Sequence, residues 1–208
     1  MGRIKGYCKE RKEISMKKEW KLWKESYLEL KNIRTITTCA MFGAISIVLG
    51  YFTIQIGDFL KIGFSNIPNQ IVAYLFGPVL APIFGGAMDI VKYLIKPVGG
   101  FFPGFTITAI LAGMINGCFL YRKKMTWKRA FIVNLIVIVI CDMILNTYWL
   151  SILYGKGFLT LLPLRGFKNL IMWPINSFLT YSVIKFLEMT GIFGLFEKTR
   201  TIERRELE

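Results

Sequence analysis

The sequence predicts an all-α integral membrane protein with six transmembrane helices and both termini in the cytoplasm. Three observations carry that reading. Of the 208 residues, 54% are hydrophobic, and they fall in runs close to the ~20 residues that cross a bilayer. A soluble chain with a mean hydropathy of +0.48 would have to hide all of those runs in one small core. Finally, the net charge is +14 without any histidine, and the cations gather in the two tails and one short loop. That loop holds Arg122, Lys123, Lys124, Lys128 and Arg129. The positive-inside rule places such clusters in the cytoplasm, and six spans put all three on that side.

The same distribution argues against nucleic acid, because topology already accounts for the basic excess. Cys8, Cys39, Cys118 and Cys141 have no metal-ligand spacing and read as small apolar residues. Without histidine, zinc chemistry and Ser/His triads drop out. No Walker loop is present, and no paired motifs mark inverted repeats. The expectation is a small binder with no cofactor and no metal, whose energy comes from a partner. The charged N-terminus lacks an apolar region behind it, so no cleaved signal peptide is expected.

Residues 1–32 form a basic cytoplasmic segment in which lysines interleave with Trp20, Trp23, Tyr27 and Leu28. It reads either as an amphipathic helix on anionic lipid or as a solvated topogenic tail. The first span covers about Ile33 to Phe52. Its Ala40-x-x-x-Ala44 pattern, with Gly43 between, is a small-residue patch that lets another helix approach closely. Ile54 and Ile56, then Leu60, Ile62 and Phe64, alternate around Gly57-Asp58, which predicts a short external hairpin or lid with a II′ turn.

Pro68 opens a short second span that Gly77-Pro78 breaks near Phe76. The third span follows at once to about Ile95, with Gly77, Ala81 and Gly85 on one ridge and Asp89, Lys92 and Lys96 on one face. Lys96 to Gly104 is a turn-rich loop. The fourth span, about Pro103 to Leu120, aligns Ala109, Gly113 and Gly117. Spans five (about Ala130 to Tyr154) and six (about Gly166 to Leu187) complete a membrane domain over 33–187. Residues 188–208 read as a solvated cytoplasmic tail.

The stretch from Asp142 to Asn176 carries the chemistry. Asp142, Asn146 and Trp149 stand at i, i+4 and i+7, the spacing of one helical face. Arg165, Asn169, Met172 and Asn176 repeat that pattern on the next helix, with Lys168 and Trp173 at its flanks. Polar groups in apolar helices are costly unless they face a partner, the bundle interior or a cavity. A binding pocket and interhelical polar glue both satisfy that condition.

Lys61, Lys92, Lys96, Lys156, Arg165 and Lys168 fall at the external end, against the positive-inside rule. An anion site there explains them, and snorkelling to head groups is the alternative. Around them stand Phe59, Phe64, Phe101, Phe102, Phe105, Tyr148, Trp149 and Phe158, as flat faces for a planar ring or as an interfacial belt. An anion carrying a planar ring meets both features.

Several short motifs occur together in order: Phe59-Leu60-Lys61-Ile62-Gly63-Phe64-Ser65, Gly85-Gly86-Ala87-Met88-Asp89 and Gly100 to Thr106. Leu145-Asn146-Thr147-Tyr148-Trp149-Leu150 and Arg165-Gly166-Phe167-Lys168-Asn169-Leu170 follow. In these, residues 33–187 resemble the substrate-binding (S) components of energy-coupling factor (ECF) vitamin transporters, in the folate-specific branch. Ala40 and Ala44 match the Ala-x-x-x-Ala feature of their first helix, while the lysine-rich N-tail is longer than such components carry.

The resemblance implies an ECF S-component-like bundle, an external pocket under the loop between spans one and two, and no catalysis. It also implies docking to a membrane coupling subunit and two cytoplasmic ATPases. With the residue chemistry it makes folate the expected ligand. Asn146, Trp149, Arg165, Lys168, Asn169, Lys61, Phe64, Lys92, Phe101, Phe102 and Tyr148 are then the substrate-binding set. Ala40, Gly43 and Ala44 are the docking set. An S component for another anionic or ring-bearing vitamin such as biotin stays open. So do a membrane enzyme acting on lipid head groups through Asp89 or Asp142, and an assembly protein without a ligand.

Overall fold

The computed structural model describes residues 20, 23–24, 26–30, 32–52, 54–56, 60–62, 64–97, 100–155 and 158–191. Helix α1 spans Ile33–Tyr51, and strands β1 (Ile54–Ile56) and β2 (Leu60–Ile62) follow it. Helices α2 (Ile67–Ile95) and α3 (Pro103–Leu120) come next. Helix α4 (Trp127–Val137) runs through a π-helical segment, Ile138–Asn146, into α5 (Thr147–Tyr154). The last helix, α6, is Phe158–Met189. Among the described residues five stretches are long and apolar enough to cross a bilayer: α1, α2, α3, Trp127–Leu153 and Arg165–Met189.

The second and third expected spans are the two limbs of α2, and the break between them is a full reversal. Gly77 sits at φ 87° and ψ −164°, a conformation that glycine adopts without steric cost. Contacts give the directions of the two limbs. Before Gly77, Gln70 bonds Thr180 and Tyr74 bonds Glu188, so this limb advances with α6. After it, the order inverts against α3: Gly117 meets Pro78, Gly113 meets Ala81 and Gly85 meets Ala109. Trp149 meets Thr108 on α3, while Phe131 meets Trp173 and Trp127 meets Phe178 on α6. Both α3 and α6 are thus antiparallel to the α4–α5 rod and parallel to each other. The limbs of α2 therefore run in opposite directions.

The small-residue ridges are the reason the second limb and α3 lie so close. A methyl group on Gly113 would stand 2.6 Å from the Ala81 carbonyl oxygen, and one on Gly117 2.6 Å from Pro78 Cα. Backbone lies against backbone there, as small residues permit in lipid.

The first limb of α2, residues 67–76, is only about ten residues, or ~15 Å at ~1.5 Å each. It covers about half of the ~30 Å hydrocarbon thickness. Its apolar side chains, Ile71, Val72, Leu75 and Phe76, pack with Leu120, Met125, Val133 and Ile184 into the core. A polar network ties three helices at the next level. Gln70 Nε2 donates to Asn134 Oδ1 at 2.9 Å, and Thr180 Oγ1 donates to Gln70 Oε1. Above that level the short limb ends, and a space opens between the π-helical segment and α6.

The hairpin expected after α1 is present, with Ile54 opposite Ile62, Gln55 opposite Lys61 and Ile56 opposite Leu60. That register leaves three residues between the strands, not the two of a II′ turn. Residues 57–59 themselves lie outside the described set, as do the side chains of Lys61 and Phe158 and all of Lys156. Strand β2 runs against α6, on the helix that borders the space. Residues 26–30, which the sequence places in the basic segment 1–32, pack on the bundle: Ser26 and Glu29 are buried.

Candidate substrate site

Between the π-helical segment and α6 lies a cavity of about 170 Å³, lined by nine residues from three elements. Asn66 enters from the start of α2. Ile138, Asp142 and Asn146 come from the π-helical segment. Arg165, Lys168, Asn169, Met172 and Asn176 come from α6. The α6 set is the face read from the sequence, because its spacing follows a regular helix.

Three kinds of polar group meet in this space. Asp142 is the acid, and Asn146 Nδ2 donates to its Oδ1 at 3.0 Å, which fixes the carboxylate direction. Arg165 and Lys168 are the cations, both close enough to attract Asp142 electrostatically. Arg165 Nε is buried with no hydrogen-bond partner among the described residues. Buried donors are rarely left so, and a ligand carboxylate is a suitable acceptor. Asn66, Asn169 and Asn176 supply amides that both donate and accept. Acid and cations at one polar site can bind a molecule with donors at one end and a negative charge at the other.

Of the expected substrate residues, Asn146, Arg165, Lys168 and Asn169 line the cavity. Trp149 does not. Its indole Nε1 donates to Thr108 Oγ1 at 3.2 Å, and its ring lies 5.5 Å from that of Phe102, against α3. The reason is the π-helical segment. Its i→i+5 bonding widens each turn, so across Ile138–Asn146 the face turns and Trp149 no longer follows Asp142. Phe102 packs with Phe105 and Trp149, and Tyr148 lies beside Trp149 at 5.0 Å. Phe101 is exposed and meets Tyr93 at 5.1 Å. These aromatics form a cluster at the α3–α5 end, not a wall of the cavity. Trp173 likewise turns away, donating to the Phe131 carbonyl at 3.0 Å.

Lys92 is close but differently engaged: its Nζ donates to the Ser65 carbonyl at 3.3 Å, beside Ser46, whose hydroxyl donates to the same oxygen at 2.8 Å. These bonds hold the residue just before Asn66. Phe64, half-buried one position earlier, also stands outside the lining. Asn66 and Ile138 were not expected at the site. Asn66 precedes a Pro-containing first turn and so reads as a helix cap. Its side chain makes no capping hydrogen bond, which leaves the amide to the cavity. Ile138 carries no polar signal.

The expected docking set divides. Ala40 and Ala44 are exposed on the outer face of α1 beside Met41. Gly43 is not part of that face. It is buried, and a methyl there would lie 3.1 Å from Met88 Sδ on α2.

A helical membrane bundle with a half-length limb, a hairpin beside it and a polar, cationic cavity is a ligand-binding membrane component. The chain belongs to the substrate-specific components of ECF transporters: residues 34–184 match the family described as ECF transporter, substrate-specific component. It is a multi-pass cell-membrane protein and a transporter component, not an enzyme. The folate transporter FolT of Clostridium novyi (strain NT) is 33% identical over 169 residues, which is 81% of this chain and 98% of that protein. The folate transporter FolT of Leuconostoc mesenteroides is 28% identical over 157 residues, 73% of this chain and 84% of that protein. A crystal structure of FolT bound with folic acid superposes with a TM-score of 0.68 at 36% identity, covering 73% of this chain and 93% of that one. The S component for biotin from an ECF-type ABC transporter gives 0.54 at 25% identity, covering 76% and 92%.

Proposed function

We propose that this chain is the folate-binding subunit of an ECF-type uptake transporter. It captures folate from the external side and delivers it through a partner membrane subunit. One observation carries the reading: an acid, amides and cations converge in one cavity of a bundle that superposes on folate-bound FolT. The pterin edge presents N–H donors, and Asp142, oriented by Asn146, is the acceptor for them. The glutamate end presents carboxylates, and Arg165 and Lys168 are the cations for those. Pockets that enclose a whole drug-sized ligand measure roughly 300–1,000 Å³. The smaller cavity here suits the ring, with the glutamate end directed to the mouth under the β1–β2 hairpin.

The partners follow from the family: a substrate-specific component pairs with other ECF transporter components, and a membrane coupling subunit with two cytoplasmic ATPases is the set that supplies the energy. The exposed Ala40/Ala44 face of α1 is the docking surface for the coupling subunit. The N-segment, the Arg122–Arg129 loop and the C-tail then share the cytoplasmic side, with 33–187 as the binding domain.

The test is a competition panel on the purified protein without partners. Labelled folate should bind and be displaced by unlabelled folate, but not by biotin or riboflavin at the same concentration. Displacement by biotin with no preference for folate would overturn the assignment.

A further inference from the structure

The turn at Gly77 leaves backbone groups that the helix cannot satisfy, because Pro78 has no N–H to give and the φ/ψ break interrupts the ladder. Both neighbours are satisfied from outside the membrane domain, by one side chain. Ser26 Oγ donates to the Phe76 carbonyl at 2.6 Å and accepts from the Val79 N–H at 3.0 Å. Ser26 is fully buried. A second anchor follows: Thr35 Oγ1 donates to Glu29 Oε2 at 3.1 Å. Residues 26–29 are helical, and their inward side, Ser26 and Glu29, is fastened to the bundle.

The outward side is of another kind. Tyr27 and Leu28 are 56% and 48% exposed on the side that Ser26 and Glu29 leave free, and Trp23, one turn earlier, is 40% exposed. The seat also sets Lys24 and its neighbours beside the residue that leads into the basic Arg122–Arg129 loop. A methyl on Gly77 would lie 2.9 Å from the Tyr121 ring and 3.0 Å from Ser26 Oγ, so Ser26 and Tyr121 meet across this turn. Residues 122–129 carry five Lys/Arg and no acid, and Lys24 is exposed beside Trp23. Lys124 and Lys128 are exposed.

We propose that docked residues 23, 24 and 26–30 and the Arg122–Arg129 loop together form a binding surface for the acidic phospholipid head groups of the inner leaflet. Trp and Tyr side chains favour the membrane–water interface. Clustered Lys/Arg beside a membrane span attract anionic lipid. A protein interface of comparable standing would bury its apolar anchors centrally and deplete lysine; here Lys24 stands exposed next to Trp23, and the neighbouring loop adds exposed Lys124 and Lys128. The topology under the proposed function enters only in assigning the leaflet.

The full-length protein is reconstituted in nanodiscs of equal phosphatidylglycerol and phosphatidylcholine, and the lipids it retains are counted by native mass spectrometry. Wild type should hold phosphatidylglycerol in several-fold excess. The triple variant Lys24→Gln/Lys124→Gln/Lys128→Gln should lose that excess while folate affinity and thermal midpoint stay unchanged. Ser26→Val should lose it too, and the triple variant decides if Ser26→Val does not fold. Equal retention of both lipids by wild type, or an undiminished excess in the triple variant, overturns the proposal. So does a triple variant that keeps its lipid excess yet no longer co-purifies with the other transporter subunits, which marks a protein interface. Folate binding is read in the same samples, so its failure is separable from the lipid result.

Discussion

Asn146 and Asp142 act as one unit, because the amide N–H spends itself on holding the carboxylate. Asn146→Leu removes that support and leaves Asp142 free to turn. Folate binding should weaken by about 1–3 kcal/mol, the usual consequence of losing a buried polar partner, with an unchanged thermal midpoint. Titration calorimetry on the purified variant checks this, and unaltered affinity would take Asn146 out of the site. Arg165 makes a different contribution. Its buried Nε has no protein acceptor among the described residues, so Arg165→Gln should weaken folate roughly 10-fold or more, the factor that each ~1.4 kcal/mol represents. A pterin without the glutamate should be nearly indifferent. Equal losses for both ligands would move Arg165 to the ring end or to the fold. At this scale the sequence was legible wherever a polar residue had no structural job. Asn66 escaped because a residue before a helical first turn has an ordinary one.

At the scale of elements, legibility followed regularity. In α6 the 3.6-residue period holds, so Arg165, Asn169, Met172 and Asn176 were found together and do share the cavity. In the rod formed by α4 and α5 the π-helical segment changes the period, and Trp149 passes to α3. A π-helix has no strong residue signature, so no spacing rule could have placed it. Gly43 shows a smaller error of the same type. Adjacent helical residues stand about 100° apart, so a glycine next to Ala44 need not share its face, and it packs on Met88 instead. The Ala40/Ala44 face gives a sharp expectation: replacing either alanine by Trp should abolish co-purification with the coupling subunit and ATPases, while the isolated variant still binds folate. Loss of folate binding by the isolated variant would make that face internal to the fold. The α2–α3 ridge behaves oppositely. Gly113→Leu cannot be accommodated 2.6 Å from a backbone carbonyl, and the variant should lose folded yield and folate binding together in size-exclusion and binding assays.

For the whole molecule, charge and apolar runs sufficed to read a helical membrane bundle, because bilayer thickness and cation placement are strong constraints. The reversal at Gly77 was legible as a break, but its depth was not. Only packing shows that the short limb advances with α6 and stops partway, which is what leaves a cavity above Asn66. The central claim is that this single chain, without partners or nucleotide, holds folate in that cavity. Equilibrium dialysis of the purified protein against labelled folate, beside the double variant Asp142→Asn/Arg165→Gln, tests it most directly. One saturable folate per wild-type chain, with loss of most of that binding in a double variant of unchanged thermal midpoint, is the predicted result. Undiminished binding in the double variant, or no binding by wild type until the ATPase subunits are added, would contradict it.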